Sequence, residues 1–271
     1  MKDAIKISGL KKSYGSKLVL GGLDFQIKQG EIFALLGVNG AGKTTTLECI
    51  EGLRKYDEGT IVVNGKTGIQ LQSSSLPAHI KPMEAIKLFA KWNHTNIDTA
   101  MLKAFGIKEI KQSQYLQLST GQKRRLHLAL ALISNPDIIF LDEPTAGLDV
   151  EGRIALHEQI RKLKSQGKTI VLASHDMAEV ETLCDRIAIL NRGKIAFCGT
   201  PSELTEKLGR KYFIHLKTQE GEDTYETDTI EDSLISLLEE CKQKNIQILD
   251  IKVDRGTLEQ HFIQIARRGS E

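Results

Sequence analysis

Apolar and polar residues alternate along Ala4-Ile5-Lys6-Ile7 and again along Leu23-Asp24-Phe25-Gln26-Ile27, a period of two that marks half-buried strands. Turn residues at Tyr14-Gly15-Ser16 and Gln29-Gly30 separate these segments, so residues 4–36 are expected to form a mostly antiparallel opening layer of short strands. The continuous run Glu31-Ile32-Phe33-Ala34-Leu35-Leu36 reads as a strand, with a helix ending near Ile50 after it. Turn signals at Asp57-Glu58-Gly59 and Asn64-Gly65 then predict a hairpin.

From Met83 to about Asn135 the period changes to that of a helix, seen in Met83, Ile86, Lys87 and Ala90 and later in Leu126, Ala129, Leu130 and Ile133. Apolar strands return at Ile138–Leu141 and Thr169–Ala173. The helix between them carries Leu156, Ile160 and Leu163 and stops at Gly167. This alternation is that of a doubly wound α/β fold with a parallel sheet, into which a helical subdomain of about residues 73–135 is inserted. Beyond Thr200-Pro201 the composition changes. A polar stretch from Lys217 to Thr229 precedes a helix from about Ser233 to Lys244, a strand Ile246–Val253 and a helix from Leu258. The expected organisation is a main domain over 1–205 and a small α+β appendage over 206–271, sizes that 271 residues accommodate.

Charge and cysteines narrow the classes. Lys+Arg number 37 against 35 Asp+Glu, so there is no cationic footprint of a nucleic-acid groove. Cys49, Cys184, Cys198 and Cys241 are widely spaced, which argues for reduced thiols rather than disulfides or zinc. The first residues lack the apolar core of a signal peptide, and no apolar run approaches a membrane span, so the chain is expected neither to be secreted nor to cross a membrane by itself.

Chemistry enters between the first buried strand and the first helix. Gly37-Val38-Asn39-Gly40-Ala41-Gly42-Lys43-Thr44 fills the pattern G-x-x-x-x-G-K-[ST] of a phosphate loop. Glycines let backbone N–H groups converge on phosphates, the lysine neutralises the β/γ oxygens, and the threonine hydroxyl ligates Mg²⁺. The helix that opens there aims its positive end at the triphosphate. Ile138-Ile139-Phe140-Leu141-Asp142-Glu143 is an apolar strand ending in two carboxylates. Asp142 is expected to hold Mg²⁺, and Glu143, one residue further on, to act as the general base for the attacking water. Leu118-Ser119-Thr120-Gly121-Gln122 heads a helix, where Ser119 is either a simple N-cap or part of a second anion site.

At this point the chain resembles the ATP-binding-cassette (ABC) ATPase family, whose signature reads Leu-Ser-Gly-Gly-Gln; Thr120 stands here for the first glycine. The resemblance covers about residues 4–205, with the motifs in the family's order. It implies a P-loop NTPase with a RecA-like parallel-sheet core, Tyr14 stacked on adenine, and Gly37, Asn39, Gly40, Ala41, Gly42, Lys43, Thr44 and Thr45 around the phosphates. It further implies Ser119, Gly121 and Gln122 on a phosphate, Asp149 in a loop crossing a dimer interface, and His175 as a switch histidine at the γ-phosphate. Gln72 is similar to the family's glutamine that touches Mg²⁺ and senses the membrane partner, with Gln70 as the competing candidate.

The implied cofactors are ATP and Mg²⁺. The implied partners are a second copy of the cassette, or a paralogous one, and an integral membrane permease contacted around Ser73–Pro77, placing the protein peripherally on the cytoplasmic face of a bacterial membrane. The segments Gly199–Leu204 and Thr257–Phe262 are similar to those of exporter subunits whose permease is a separate chain. The alternative is a soluble ABC ATPase acting on ribosomes or DNA, whose usual second cassette or coiled-coil insertion is missing. A module that binds ATP without turnover disagrees with Glu143 and His175, and no Asn-Lys-x-Asp guanine reader is present. The remaining six histidines have no ligand spacing, and Lys123-Arg124-Arg125 reads as a solvated helix face.

Overall fold

The alternating segments near the start fold into β1 (Asp3–Tyr14) and β2 (Lys17–Lys28), each twelve residues long and paired antiparallel from Asp3↔Lys28 to Tyr14↔Lys17. The computed structural model describes residues 2–70, 75–174, 176–207, 212–255 and 262. The chain continues through β3 (Ile32–Leu36), α1 (Lys43–Ile50), β4 (Glu58–Val63), β5 (Thr67–Gln70), α2 (Pro82–Trp92) and α3 (Thr99–Ala104). Then come α4 (Thr120–Leu132), β6 (Ile138–Asp142), α5 (Val150–Ser165), β7 (Thr169–Ala173), α6 (Met177–Leu183), β8 (Arg186–Asn191) and β9 (Lys194–Gly199). These elements make up most of a compact unit, Met1–Cys198; Gly199–Glu271 form a second.

Two sheets organise the first unit. One is antiparallel, in the order β2-β1-β4; the other has six strands in the order β5-β6-β7-β3-β8-β9, with β5 through β8 running parallel. β3 and β7 are buried along their whole length, as the uninterrupted apolar runs demand. Ile5, Ile7, Leu23, Phe25 and Ile27 of the antiparallel sheet share one apolar core with Phe33 and Leu35 of β3, Leu47 of α1 and Phe140 of β6. Phe25 and Phe33 stack at 5.8 Å across that seam.

One sequence expectation needs correcting. The hairpin at Asn64-Gly65 does not form. β4 joins the antiparallel sheet beside β1, whereas β5 crosses to the parallel sheet and pairs with β6, Thr67↔Ile138 to Gln70↔Leu141. The turn is captured by Asp137, whose carboxylate accepts the Lys66 N–H at 2.9 Å, and the Lys66 carbonyl accepts the N–H groups of Asp137 and Ile138. The helical stretch from Met83 to Asn135 is built from separate helices, α2, α3 and α4, with a 3₁₀ turn at Tyr115–Gln117 between the last two. The mostly antiparallel opening layer forms through β1 and β2, while β3 sits at the centre of the parallel sheet.

The second unit holds α7 (Pro201–Lys207), β10 (Tyr212–Thr218), β11 (Glu222–Thr227), α8 (Ile230–Gln243) and β12 (Ile248–Arg255), the strands forming an antiparallel sheet in the order β11-β10-β12. Among its described residues, Leu204 of α7, Ile214 and Leu216 of β10 and Leu237 and Cys241 of α8 are buried. β11 lies inside the polar stretch where no strand was expected. The helix expected from Leu258 falls outside the described residues apart from Phe262.

Candidate nucleotide-binding and catalytic site

The centre of the parallel sheet is where the strand order turns back, since β3 has the later strands β7 and β8 on its two sides. Open α/β sheets bind ligands beyond the carboxyl ends of their strands at such a point. The Gly37–Thr44 loop leaves β3 there. A side chain on Gly37 would put a Cβ 2.6 Å from the Leu190 carbonyl oxygen. Gly42 has φ +109°, where only glycine is at ease, and is the N-cap of α1 without any side-chain cap. The first N–H groups of α1 are therefore left for an anion.

Tyr14, Asn39, Gly40, Gly42, Lys43, Thr44 and Thr45 line one cleft of about 540 Å³, together with Lys17, Leu18, Val19 and Arg192. The Tyr14 ring is 42% exposed, open enough to take a base, and has the Arg54 guanidinium at 5.4 Å and the Lys12 ammonium at 5.6 Å from its centroid. Lys43 Nζ donates to the Gly37 carbonyl at 2.7 Å, inside the loop it closes.

The two carboxylates stand at the end of β6. Burial raises the Asp142 pKa, helped by Glu143 and opposed by Lys43 and Arg124. Burial lowers that of Lys43, against the pull of Glu143 and Asp142. Lysine and carboxylates thus share one electrostatic neighbourhood. Glu143 has φ +49°, uncommon for a residue with a side chain, and its N–H donates to the Ala173 carbonyl at 2.9 Å. The Thr44 hydroxyl and the Asp142 carboxylate are hard oxygen donors of the kind Mg²⁺ takes.

Ser119 and Asp149 lie elsewhere. Ser119, Thr120, Gly121 and Gln122 line a second cleft of about 560 Å³ with Gly147, Leu148 and Asp149, and this cleft has no residue in common with the first. Ser119 caps α4: its Oγ accepts the Gln122 N–H at 3.2 Å, and the Gln122 side chain accepts the Ser119 N–H at 2.9 Å. Asp149 caps α5 by accepting the Gly152 N–H at 2.8 Å. Gln72 and His175 fall outside the described residues. Gln70 is 3% exposed, its amide O and N have no hydrogen-bond partner among the described residues, and it lines a third cavity with Phe89, Asn93 and His127, apart from the phosphate loop.

A family model described as ABC transporter matches residues 20–146. The linearmycin resistance ATP-binding protein of Bacillus subtilis is 30% identical over 97% of this chain and 98% of its own length. The Nod factor export ATP-binding protein I of Burkholderia orbicola is 37% identical over 74% of this chain and 72% of its own. The chain belongs to the ABC transporter ATP-binding protein family. A solved ATP-binding subunit of an ABC transporter superposes with a TM-score of 0.69 at 26% identity, covering 76% of this cassette and 93% of that chain.

The cassette is accordingly the ATP-binding subunit of an ABC transporter and an ATPase, and the comparisons favour this over a soluble ribosome- or DNA-directed role. Cassettes of this family work as dimers at a membrane permease. Among the described residues no helix is long and apolar enough to cross a membrane.

Sequence reasoning missed several residues of the cassette's site. Lys17, Leu18, Val19 and Arg192 reach the cleft from the start of β2 and from just past the end of β8, positions that local motifs do not mark. Lys12 and Arg54 flank Tyr14 and are anchored by ion pairs to Asp57 and Glu48. For these the signal was faint: Lys12 lies two residues from Tyr14 and so on the same face of β1.

Proposed function

We propose that two copies of this cassette close head to tail over two ATP molecules and that their opening and closing drives export through a separate membrane permease. One observation carries the reading: the phosphate loop and the Ser119–Gln122 segment line two clefts with no residue in common. If both segments bind the same ATP, the second must come from another copy. Each nucleotide then bridges two chains, and loss of the γ-phosphate removes the bridge.

In the closed pair the loop amides, Lys43 and the start of α1 hold the triphosphate, and Tyr14 receives the adenine. Thr44 and Asp142, with Gln72, would hold Mg²⁺, which when bound neutralises the β/γ oxygens. Glu143 takes a proton from water as the water oxygen attacks the γ-phosphorus. The bond to the β-phosphate oxygen breaks, leaving ADP and inorganic phosphate. His175 contacts the departing γ-phosphate, and Ser119 and Gly121 of the partner copy steady it from the other side. Export as the direction of transport is supported by the name of the Burkholderia relative, a Nod factor export ATP-binding protein.

The test is affinity purification of the tagged cassette from gently solubilised native membranes, with and without Glu143→Gln, followed by mass spectrometry. A polytopic membrane protein is expected in both samples, more strongly with ATP and E143Q. Ribosomal or DNA-repair proteins in place of a membrane partner would overturn the reading.

A further inference from the structure

Glu179, in α6, is a buried carboxylate that takes no part in the chemistry above; it is 3% exposed. Its Oε2 accepts hydrogen bonds from the Ser174 hydroxyl at 2.7 Å and the Thr145 hydroxyl at 3.2 Å, and its Oε1 faces His157 Nε2 at 3.3 Å. Withdrawing a carboxylate from water is costly, so three side-chain partners around one are a built arrangement rather than a chance contact.

Thr145 and Ser174 come from two loops, and His157 from α5. Residues 143–149 leave β6 and carry Glu143; residues 174–176 leave β7 and carry His175. The parallel strands are paired up to Asp142↔Ala173, and the last backbone tie is the Glu143 N–H to the Ala173 carbonyl. Past that point, the ties between the loops among the described residues run through side chains. Glu179 joins Thr145 of one loop to Ser174 of the other. Arg153 makes a second crossing: its Nε donates to the Leu148 carbonyl at 3.4 Å and its Nη1 to Asp176 at 3.2 Å. Ser174 and Asp176, the neighbours of His175 on either side, are also tied to each other and to α6. The Asp176 N–H donates to Ser174 Oγ at 3.1 Å, and the Glu179 N–H to Asp176 Oδ1 at 3.1 Å.

We propose that Glu179 is a positioning residue that fixes the spacing between the Glu143 loop and the His175 loop, so that base and γ-phosphate sensor meet the same reacting group. The inference rests on the ATPase roles given above to Glu143 and His175. Misplacement of a reacting group by about 1 Å can cost on the order of a hundredfold in rate, and the tie through Glu179 acts on that scale.

The test compares Glu179→Leu, which keeps the volume and removes the acceptors, with Glu179→Gln, whose amide can still meet both hydroxyls. Steady-state ATP hydrolysis and the affinity of a fluorescent ATP analogue are measured on the full chain, with Glu143→Gln as reference. E179L is expected to lower kcat at least tenfold with the nucleotide Kd within twofold of wild type, and E179Q to keep at least a third of wild-type kcat. Adding Thr145→Val to E179L should cost nothing more. Equal kcat losses in E179L and E179Q, a loss below twofold in E179L, or a Kd that weakens as much as kcat falls would overturn the proposal.

Should E179L fail to fold, Thr145→Val and Ser174→Ala each remove one donor. Each is expected to lower kcat about threefold, and unchanged kcat in both overturns the proposal. A wild-type hydrolysis rate that E143Q leaves intact would instead sink the assigned base, and the bracket with it.

Discussion

Two helices of this cassette begin at segments proposed for the same triphosphate, and they begin differently. α1 starts at Gly42, which has no side chain and sits at φ +109°, so the amides of its first turn are uncapped. α4 starts at Ser119, which caps the helix with its own hydroxyl while Gln122 closes the box. A helix end needs its amides satisfied by something. At α1 that partner is to be the nucleotide, and the site is ready within one chain. At α4 the protein satisfies itself, and the segment has the character of a stable surface offered to another molecule. On the proposed reading, one helix end is a binding site by construction, whereas the other becomes one on association.

The largest effect expected on this contrast concerns chemistry at the α1 side. Glu143→Gln should reduce kcat on the order of a hundredfold or more while ATP binding persists, and should trap an ATP-dependent dimer visible in size-exclusion chromatography. Undiminished turnover would remove Glu143 from its role. Next, Gly42→Ala forces a side chain into the left-handed region and puts a Cβ 2.7 Å from Leu20 Cδ2. About 3 kcal/mol of stability should be lost in denaturant titration, together with most ATP affinity. An alanine variant as stable and as tight as wild type would contradict the reading of this glycine.

Ser119→Ala sharpens the comparison from the other side. Loss of the cap should cost about 1 kcal/mol of stability and leave monomer affinity for ATP unchanged, while weakening the dimer trapped by E143Q. If monomer affinity fell instead, the two clefts would not be independent. The smallest effect lies at the far end of α1. Glu51, its C-cap residue, is pushed by burial to a pKa of about 7, with Asp142 and Glu48 adding to the rise. A carboxyl raised in the folded state favours folding below its unfolded value near 4.5 and loses that contribution as pH climbs through 7. Glu51→Gln should therefore raise Tm by a few degrees at pH 8 and leave it nearly unchanged at pH 4.5, as differential scanning calorimetry would read. Equal shifts at both pH values would remove burial of the charge as the cause.

Much of this was legible beforehand because the strongest signals are local. The apolar runs of β3, β6 and β7, the stripe of α5, and the loop between β3 and α1 each lie in one short window. β11 escaped because it is an exposed edge strand, Glu222-Asp223-Thr224-Tyr225-Glu226-Thr227, with no alternation to betray it. The hairpin expected between β4 and β5 does not form because an Asn-Gly turn reads alike whether it joins partners or lets the chain leave one sheet for another. The ties of Glu179 to Thr145, His157 and Ser174 span up to 34 residues and have no sequence period at all.

The sequence by itself determined the family and the fold class and named the residues proposed to bind phosphate and activate water, since spacing within a loop or along a strand suffices for these. Only the tertiary structure decided that the phosphate loop and the signature segment line separate clefts, that Arg54 and Lys12 flank Tyr14, and that one buried carboxylate joins the loops of β6 and β7. Those arrangements depend on which strand lies beside which, and that is settled by burying two sheets against a common core rather than by any neighbour along the chain.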